Sequence, residues 1–259
     1  MEKFTIEKKN GFKVPVVAEV PEKSDAALIV VHGFGSSKEG ENCKLMLRRM
    51  PEAGISVFLY DQPAHGTEEA KDEPLTIENA LDSLAAVEDY IRGNYPDKEI
   101  LYLGSSFGGY ISGLYIERRE HAGTKLMLRS GAVIMPWLFL GAPGSEPDPE
   151  SLAELEKNGF LMVGSPLGNY TKVPEEMFVE LARPENNLFG NFGETDHDGT
   201  KTAMVHGEKD PVIPLKFAQE FAARYELPIA VFPGQGHSIS DDPEVPDKVA
   251  DRIIEFFRS

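Results

Sequence analysis

Short, almost entirely apolar runs recur along this sequence, and segments with helical patterning separate them. Continuous apolar runs of this length are typical of strands that are buried on both faces, as in a parallel sheet. The runs are Ala26–Gly35, Ile55–Asp61, Glu99–Gly104, Thr124–Val133, Lys201–Gly207 and Pro228–Gly234. The helical patterns lie at Lys44–Ala53, Ile77–Arg92, Phe107–Arg119, Pro214–Tyr225 and Val245–Arg258. This alternation predicts an α/β fold, with a mostly parallel sheet and helices on both of its faces.

Two further strands are predicted at the start of the chain. They cover Phe4–Ile6 and Val14–Val20, and the Asn10-Gly11 pair between them is a strong hairpin signal. With these strands the predicted sheet has eight strands.

The regular alternation stops between residues 134 and 200. This segment carries predicted helices at Pro149–Asn158 and Pro174–Ala182, and short strand-like pieces at Phe160–Val163 and Tyr170–Val173. An interruption of this length is too long for an ordinary loop. The sequence therefore predicts a core made of residues 1–133 and 201–259, with an inserted lid of residues 134–200.

Charge and cysteine content narrow the possible functions. The 259 residues carry a formal net charge of −17, which disfavours binding to nucleic-acid phosphates or to an anionic membrane surface. The single cysteine, Cys43, excludes an intrachain disulfide and is typical of a reducing compartment. The N-terminus shows no signal-peptide core, and the longest apolar stretch, Gly131–Pro143, is shorter than the ~20 residues of a membrane span. We expect a soluble cytoplasmic protein, and the sequence does not indicate its oligomeric state.

The segment LYLGSSFGGY, residues 101–110, contains a G-x-S-x-G pattern between a predicted strand and a predicted helix. A nucleophile on such a sharp turn needs small residues two positions before and two positions after it, because bulkier side chains would clash. Only Ser106 has glycine at both positions, since Leu103 precedes Ser105 by two. The helix that follows also points its first N–H groups toward an oxyanion. Ser106 is therefore the predicted nucleophile, and a plain glycine-rich turn is the alternative.

A serine nucleophile needs a histidine base and an acid that orients it. His237 lies in GQGHS, just after the last apolar run, and Asp210 lies in HGEKDPVIP, just after the preceding run. Both positions belong to the carboxyl edge of a parallel sheet, where catalytic groups gather. We therefore predict that Ser106, Asp210 and His237 form a catalytic triad, in the chain order nucleophile, acid, histidine.

The HGFG segment follows the first long apolar run, where a loop can offer a backbone N–H to an oxyanion. Phe34 is the expected donor there, and Phe107, the residue after Ser106, is the expected second donor. A plain tight turn at His32-Gly33 is the alternative interpretation.

The other histidines receive simpler interpretations. His121 is expected at the surface, and His206 is expected to pack within its strand. His197 lies in an Asp-His-Asp triplet, which we interpret as a solvated acidic loop, because no second ligand cluster with metal spacing follows it. No metal site is therefore predicted.

The segments HGFG, YDQPAHG, GSSFGG, HGEKDPVIP and GQGHS together resemble the α/β-hydrolase superfamily over nearly the whole chain. The resemblance implies a serine hydrolase with the triad and the amide donors named above, and a lid inserted after the sixth strand. The proposed chemistry needs no metal or organic cofactor. Residues 158–182 also resemble the lid of bacterial cinnamoyl/feruloyl esterases. The sequence departs from the common pattern at Ser105, where many relatives have histidine, and in DQPAHG, which replaces Asp-x-x-Gly-His-Gly.

These features predict a carboxylesterase that acts on small-molecule esters with small apolar or aromatic, cinnamoyl-type, groups. Apolar and aromatic lid residues should shape its pocket, although packing of the lid onto the sheet is the simpler role for each of them. The candidate substrate-binding residues are Trp137, Phe160, Met162 and Tyr170, with Leu138 and Phe139 beside them.

Other functions on the same fold stay open. They are a thioesterase, a monoacylglycerol-type lipase and a proline-type aminopeptidase, for which Glu175 and Glu176 could bind a free amino terminus. A hydrolase-like binding protein without turnover is the alternative of a different class.

Overall fold

A computed structural model of the protein describes residues 1–146, 148–193 and 199–259. The strands are β1 (Glu2–Glu7), β2 (Lys13–Glu19), β3 (Ala26–Val31), β4 (Ile55–Tyr60), β5 (Glu99–Ser105), β6 (Gly123–Arg129), β7 (Phe160–Gly164), β8 (Tyr170–Pro174), β9 (Lys201–Gly207) and β10 (Ile229–Phe232). The α-helices are α1 (Glu41–Glu52), α2 (Glu68–Lys71), α3 (Ile77–Asn94), α4 (Phe107–Arg118), α5 (Met135–Leu140), α6 (Pro149–Asn158), α7 (Glu175–Leu181), α8 (Leu188–Asn191), α9 (Leu215–Arg224) and α10 (Val245–Arg258).

The main sheet in these residues has eight strands in the order β1-β2-β4-β3-β5-β6-β9-β10. Strand β2 pairs antiparallel with β1 and with β4, and the other neighbours pair in parallel. The predicted mostly parallel, eight-stranded sheet is therefore confirmed. The chain passes from β3 outward to β4 and then back across to β5, so the direction of winding reverses beside β3. Open α/β sheets bind ligands at the carboxyl ends of the strands around such a point.

Both faces of the sheet are covered by helices, because the central strands are apolar on both sides. Successive residues of a strand point to opposite faces, and in β3 Leu28 packs on one face while Ile29 packs on the other. Helices α1 and α10 cover the first face, and α3, α4 and α9 cover the second.

The chain between β6 and β9 contains α5–α8 and an antiparallel hairpin of β7 and β8. The predicted strand Thr124–Val133 ends earlier than expected, at Arg129, and an unpredicted helix, α5, begins at Met135. Pro136 lies in the first turn of α5, where proline costs no helical hydrogen bond. No described helix is long and apolar enough to cross a membrane.

Helix α3 is held at its N-terminus by two different caps. Thr76 is the N-cap, and its Oγ1 accepts a hydrogen bond of 3.0 Å from the amide of Asn79. Glu180 of α7 reaches the same helix end, where its carboxylate accepts hydrogen bonds from the amides of Ile77 and Glu78. Through this second cap, the segment between β6 and β9 is bound to helix α3, which covers one face of the sheet.

We expect Glu180→Ala to lower the free energy of unfolding by about 1–3 kcal/mol, because the buried amide of Ile77 loses its acceptor. Urea denaturation measures this change. Glu180→Gln keeps an acceptor oxygen and should lose less. Glu176→Ala, which removes an exposed carboxylate from the same helix, is the matched control and should change little. Equal stability of wild type and Glu180→Ala would contradict the capping role.

Candidate active site

Ser106 lies on the sharp turn between β5 and α4, and its backbone adopts φ 52°. The flanking glycines are required by close backbone contacts. A Cβ on Gly104 would overlap the backbone of Gly108, and a Cβ on Gly108 would overlap the carbonyl oxygen of Val31. The turn therefore exists only because helix α4 can start in direct contact with the end of β3.

The three residues of the predicted triad are brought together in one chain of hydrogen bonds. Nε2 of His237 lies 2.8 Å from Oγ of Ser106, and Nδ1 of His237 lies 2.8 Å from Oδ2 of Asp210. Asp210 follows β9 and His237 follows β10, so both side chains reach Ser106 from the carboxyl edge of the sheet. The Asp210 side chain is fully buried, whereas that of His237 is 15% exposed and accessible from the cavity described below.

The Asp210 carboxylate is surrounded by hydrogen-bond donors. Its Oδ1 accepts the amides of Val212 at 2.8 Å and Ile213 at 2.9 Å. Burial alone would raise the pKa of this carboxyl group, but the hydrogen bond and charge of His237, together with the two amides, hold the pKa below its ordinary value. Asp210 is therefore ionised and can stabilise a protonated imidazole.

A second histidine supports this carboxylate from within β9. His206 is completely buried, and its Nε2 lies 2.9 Å from the carbonyl oxygen of Ile213 and 3.3 Å from Oδ2 of Asp210. Burial lowers the pKa of His206, so the ring is neutral and donates through Nε2. The sequence analysis assigned it only a packing role. The sequence signal for this contact was the short spacing, because His206 precedes Asp210 by only four residues.

The HGFG loop is positioned by two buried histidines. Nε2 of His32 accepts the amide of Gln62 at 3.1 Å, and Nε2 of His65 accepts the amide of Gly35 at 2.9 Å. Each Nδ1 lies 2.8 Å from a backbone carbonyl oxygen, that of Gly33 for His32 and that of Pro63 for His65. Both rings are therefore neutral, with the proton on Nδ1. Burial lowers both pKa values, to about 3 for His65.

A buried ion pair joins the same two loops. Lys38 follows HGFG and pairs with Asp61, which follows β4. Asp61 also accepts the amides of Lys38 at 2.9 Å and Thr67 at 3.1 Å. The YDQPAHG motif thus shapes the loop that carries Phe34, a role that the sequence analysis did not assign.

Phe34 lies in the HGFG loop, and Phe107 directly follows Ser106 at the start of α4. A Cβ on Gly33 would lie 3.2 Å from Cβ of Ser106, so the HGFG loop passes directly over the serine. The amide of Phe107 is the first of α4 and has no acceptor within the helix. The two rings pack edge to face, with centroids 6.3 Å apart.

A cavity of about 670 Å³ opens beside Ser106 and His237. Most of its wall is apolar. The apolar lining residues are Phe34, Phe107, Met135, Leu138, Phe139, Val163, Pro166, Leu167 and Val212. A polar group completes the lining: Ser36, Glu41, Asn42, Ser105, Arg129, Ser130, Ser238 and Ser240. Arg129 and Ser130 were not anticipated, although a basic residue within the apolar run LMLRSG was a visible signal.

All four candidate substrate-binding residues lie in the part of the chain that the structure describes, and none of them lines this cavity. Trp137 packs against Phe189 and Phe217, with ring centroids 5.3 and 5.4 Å away. Its neighbours Leu138 and Phe139 face the cavity instead, because consecutive residues of a helix point in different directions.

The other three candidates lie on the β7–β8 hairpin. Lys172 lies over the ring of Phe160, Met162 is 48% exposed, and Tyr170 is 71% exposed. Alternation along β7 turns Met162 outward, and it is the adjacent Val163 that lines the cavity.

Among the described residues no group of three or more histidine, cysteine, aspartate or glutamate side chains could hold a metal ion. His197 lies outside the described residues. Glu175 and Glu176 are exposed on α7 and do not line the cavity.

Residues 28–252 match the alpha/beta hydrolase family, and the chain therefore belongs to this family. The resemblance and the fold predicted from the sequence motifs are thus confirmed. Comparison with curated protein sequences gives no significant match.

Solved structures share the fold at low sequence identity. Est1E from Butyrivibrio proteoclasticus, solved with bound ferulic acid, is 20% identical with a TM-score of 0.78, over 98% of this chain and 97% of that one. A highly thermostable carboxyl esterase from Bacillus coagulans, solved with glycerol, is 18% identical with a TM-score of 0.71, over 99% and 97% of the two chains. Mouse alpha/beta hydrolase domain-containing protein 10 is 14% identical with a TM-score of 0.73, over 100% and 99%.

The buried neutral His65 should make the fold sensitive to acid. Because its pKa is about 3 in the folded chain, against an ordinary value of 6.5, the unfolded chain binds more protons in acid. The contribution of His65 to stability is thus fully present above about pH 6.5 and is lost as the pH falls toward about 3.

We expect this residue alone to lower the free energy of unfolding by about 2 kcal/mol between pH 7 and pH 5. Urea denaturation at the two pH values measures the loss. His65→Gln retains an acceptor and a donor without a titratable group, so its loss should be smaller than that of wild type by about this amount. Identical losses in the two proteins would contradict the prediction.

Proposed function

We propose that the protein is a serine hydrolase that cleaves carboxylic esters, with Ser106 as nucleophile, His237 as base and Asp210 as the orienting acid. The observation that carries the proposal is the continuous hydrogen-bonded chain Ser106–His237–Asp210, with both distances 2.8 Å, at the wall of an open and largely apolar cavity. This is the arrangement in which a serine hydroxyl becomes nucleophilic.

In the first step Oγ of Ser106 attacks the ester carbonyl carbon, and Nε2 of His237 takes the hydroxyl proton. The ionised Asp210 accepts a hydrogen bond from Nδ1, so the proton of the neutral ring is on Nδ1 and the lone pair of Nε2 faces Ser106. The same carboxylate then stabilises the imidazolium. The two amides on Oδ1 keep Asp210 in this orientation.

The negative charge that develops on the carbonyl oxygen needs donors fixed in advance. We assign this role to the backbone amides of Phe34 and Phe107. The close approach of Gly33 to Ser106, and the position of Phe107 at the start of α4, support the assignment. The histidine network around HGFG would hold the Phe34 amide in place, because it fixes the backbone on both sides of that residue.

The tetrahedral intermediate then collapses. The bond to the alcohol oxygen breaks, the imidazolium of His237 returns its proton to the leaving alkoxide, and an acyl group stays on Ser106. Water repeats the sequence: His237 removes its proton, the acyl–serine bond breaks, and Oγ is reprotonated. The carboxylic acid product leaves, and the enzyme is restored.

We further propose that residues 134–200 act as a lid over the cavity, and that the preferred substrates carry small apolar or aromatic groups. Met135, Leu138, Phe139, Val163 and Leu167 supply much of the apolar wall from this segment. The shared fold of Est1E, whose structure contains ferulic acid, supports an aromatic acid as a group that such a cavity accommodates. The volume of about 670 Å³ is within the usual range for small-molecule sites.

The nucleophile can be identified by intact mass after treatment with a fluorophosphonate. We expect one adduct on wild type and on Ser105→Ala, and none on Ser106→Ala. Ser106→Ala should also abolish hydrolysis of short-chain nitrophenyl and hydroxycinnamate esters, whereas Ser105→Ala should keep most of it. Equal loss in the two variants would contradict the assignment of Ser106.

The same measurement separates the alternatives. If the fluorophosphonate labels the protein but no oxygen ester of the panel is hydrolysed, the substrates to test next are thioesters, monoacylglycerols and prolyl peptides. The absence of any adduct would favour a binding protein that does not turn over substrate.

Asp210→Asn should lower kcat by about 10³–10⁴-fold, because the amide no longer fixes the imidazole tautomer or stabilises its cation. Steady-state hydrolysis of the best ester in the panel measures this loss. The fluorophosphonate labelling rate should fall in parallel, since labelling needs the same activated serine. Normal kcat in a folded Asp210→Asn variant would contradict the role of Asp210.

A further inference from the structure

Arg129 is a buried cation in the wall of the proposed active site. It is the last residue of β6, it is only 3% exposed, and it lines the cavity. Its main-chain carbonyl accepts the amide of Ser106 at 3.0 Å, so its backbone is fixed relative to the nucleophile. Ser105, its neighbour across the sheet, lines the same cavity.

The guanidinium of Arg129 has no counter-ion among the described residues. With the described residues its side chain makes one hydrogen bond, from Nη2 to the carbonyl oxygen of Ser238, and no described carboxylate lies within ion-pair distance. The buried thiol of Cys43 is the charge partner with which it interacts, but burial raises the pKa of that thiol to about 12, so it is neutral. Burial lowers the pKa of Arg129 to about 10, which still leaves a cation at neutral pH.

A buried charge without a partner is costly, and arginine carries donors in a fork that fits a carboxylate. Within the part of the chain that the structure describes, the guanidinium has one acceptor, a carbonyl oxygen, whereas its fork offers five N–H donors. The cavity is the open side of this residue.

Ser130 provides a second, independent sign of a ligand. Its Oγ is buried and has no hydrogen-bond partner in residues 1–146, 148–193 and 199–259, and the residue lines the same cavity. Its backbone is strained, with φ 45°, although it is not glycine. Buried hydroxyl groups are normally paired, so an orphan hydroxyl at a cavity wall indicates an absent acceptor or donor.

One carboxylate of the protein also lines the cavity, and it is already paired. Glu41 is 90% exposed in its side chain, and its Oε1 lies 2.8 Å from Nζ of Lys44. It can remain in solvent while an anion binds to the buried guanidinium.

We infer that Arg129 and Ser130 form a subsite for one carboxylate group of the substrate. The favoured substrates are then esters that carry a single free carboxylate, either on the acyl part, as in monoesters of dicarboxylic acids, or on the alcohol part. The inference rests on the proposed esterase function and narrows its substrate class. A carboxylate is preferred over a hydroxyl or a neutral carbonyl because it alone neutralises the guanidinium, and one cation selects one anion.

A purely structural role for Arg129 makes a different prediction. Through Ser238, the residue after His237, the guanidinium also fixes the loop that carries the proposed base. If that were its whole role, its removal would slow hydrolysis of neutral and acidic esters equally. The ratio of kcat/KM for matched acidic and neutral substrates therefore separates recognition from positioning.

The experiment follows acid release in a pH-stat with paired substrates. One arm compares monoethyl esters of dicarboxylic acids, from succinate to suberate, with ethyl esters of monocarboxylic acids of equal chain length. The other arm compares 4-butyryloxybutanoate with butyl butyrate. Wild type should prefer the acidic member of at least one pair by about 10- to 100-fold in kcat/KM, as expected for a charge-assisted hydrogen bond.

Arg129→Met should lower kcat/KM for the acidic member of a pair by about 10- to 100-fold more than for its neutral partner, and Ser130→Ala should lower this ratio less. Arg252→Met removes an exposed arginine of α10 and controls for the change in net charge. No acidic preference in wild type, or a proportional loss on both substrate classes in Arg129→Met, would overturn the inference.

A binding measurement keeps the two proposals distinguishable and covers poor folding of Arg129→Met. Ser106→Ala is titrated calorimetrically with each preferred acidic ester and with its neutral partner, and it should bind the acidic ester more tightly. Adding Ser130→Ala or Arg129→Lys to this variant should reduce the difference in affinity. Preferential binding without turnover by wild type would retain the subsite and reject the esterase function. Turnover of neutral esters, together with equal binding of the acidic and neutral esters, would retain the esterase function and reject the subsite.

Discussion

The contact between the first turn of α4 and the end of β3 is the constraint on which the rest of the site depends. Gly104 and Gly108 are the residues that permit it, because any Cβ at either position would enter the neighbouring backbone. The contact holds Ser106 at a positive φ of 52° and points the helix N-terminus at the same space. The proposed nucleophile and one proposed oxyanion donor are therefore consequences of a single packing requirement.

Around this fixed point the protein holds its loops with buried polar groups rather than with packing alone. His32 and His65 each accept one amide and donate to one carbonyl, and Lys38 pairs with Asp61. Such interactions are directional, so they define where the HGFG backbone lies more sharply than apolar contacts would. They also make the arrangement dependent on neutral histidines, which links the geometry of the site to pH.

The sequence predicted the sheet and the residues now placed in the hydrogen-bonded chain because both follow from local rules. Apolar runs mark the strands, and Ser106, Asp210 and His237 each come just after one of them. The cavity wall could not be predicted in the same way. Whether Trp137 or Phe139 faces the cavity depends on how α5 packs against α8 and α9, and no local pattern encodes that packing. The position of Arg129 in the cavity wall could not be predicted for the same reason, because the neighbours of a strand residue depend on the tertiary structure.

Arg129 links recognition and catalysis in one residue. Its main-chain carbonyl accepts the Ser106 amide, its guanidinium donates to the carbonyl oxygen of Ser238, and the residue lines the cavity. A carboxylate that binds there would neutralise the buried cation in the same cavity wall that holds Ser106 and His237. A bound carboxylate would therefore hold the ester beside the proposed nucleophile, which gives a buried arginine a chemical purpose in an otherwise largely apolar cavity.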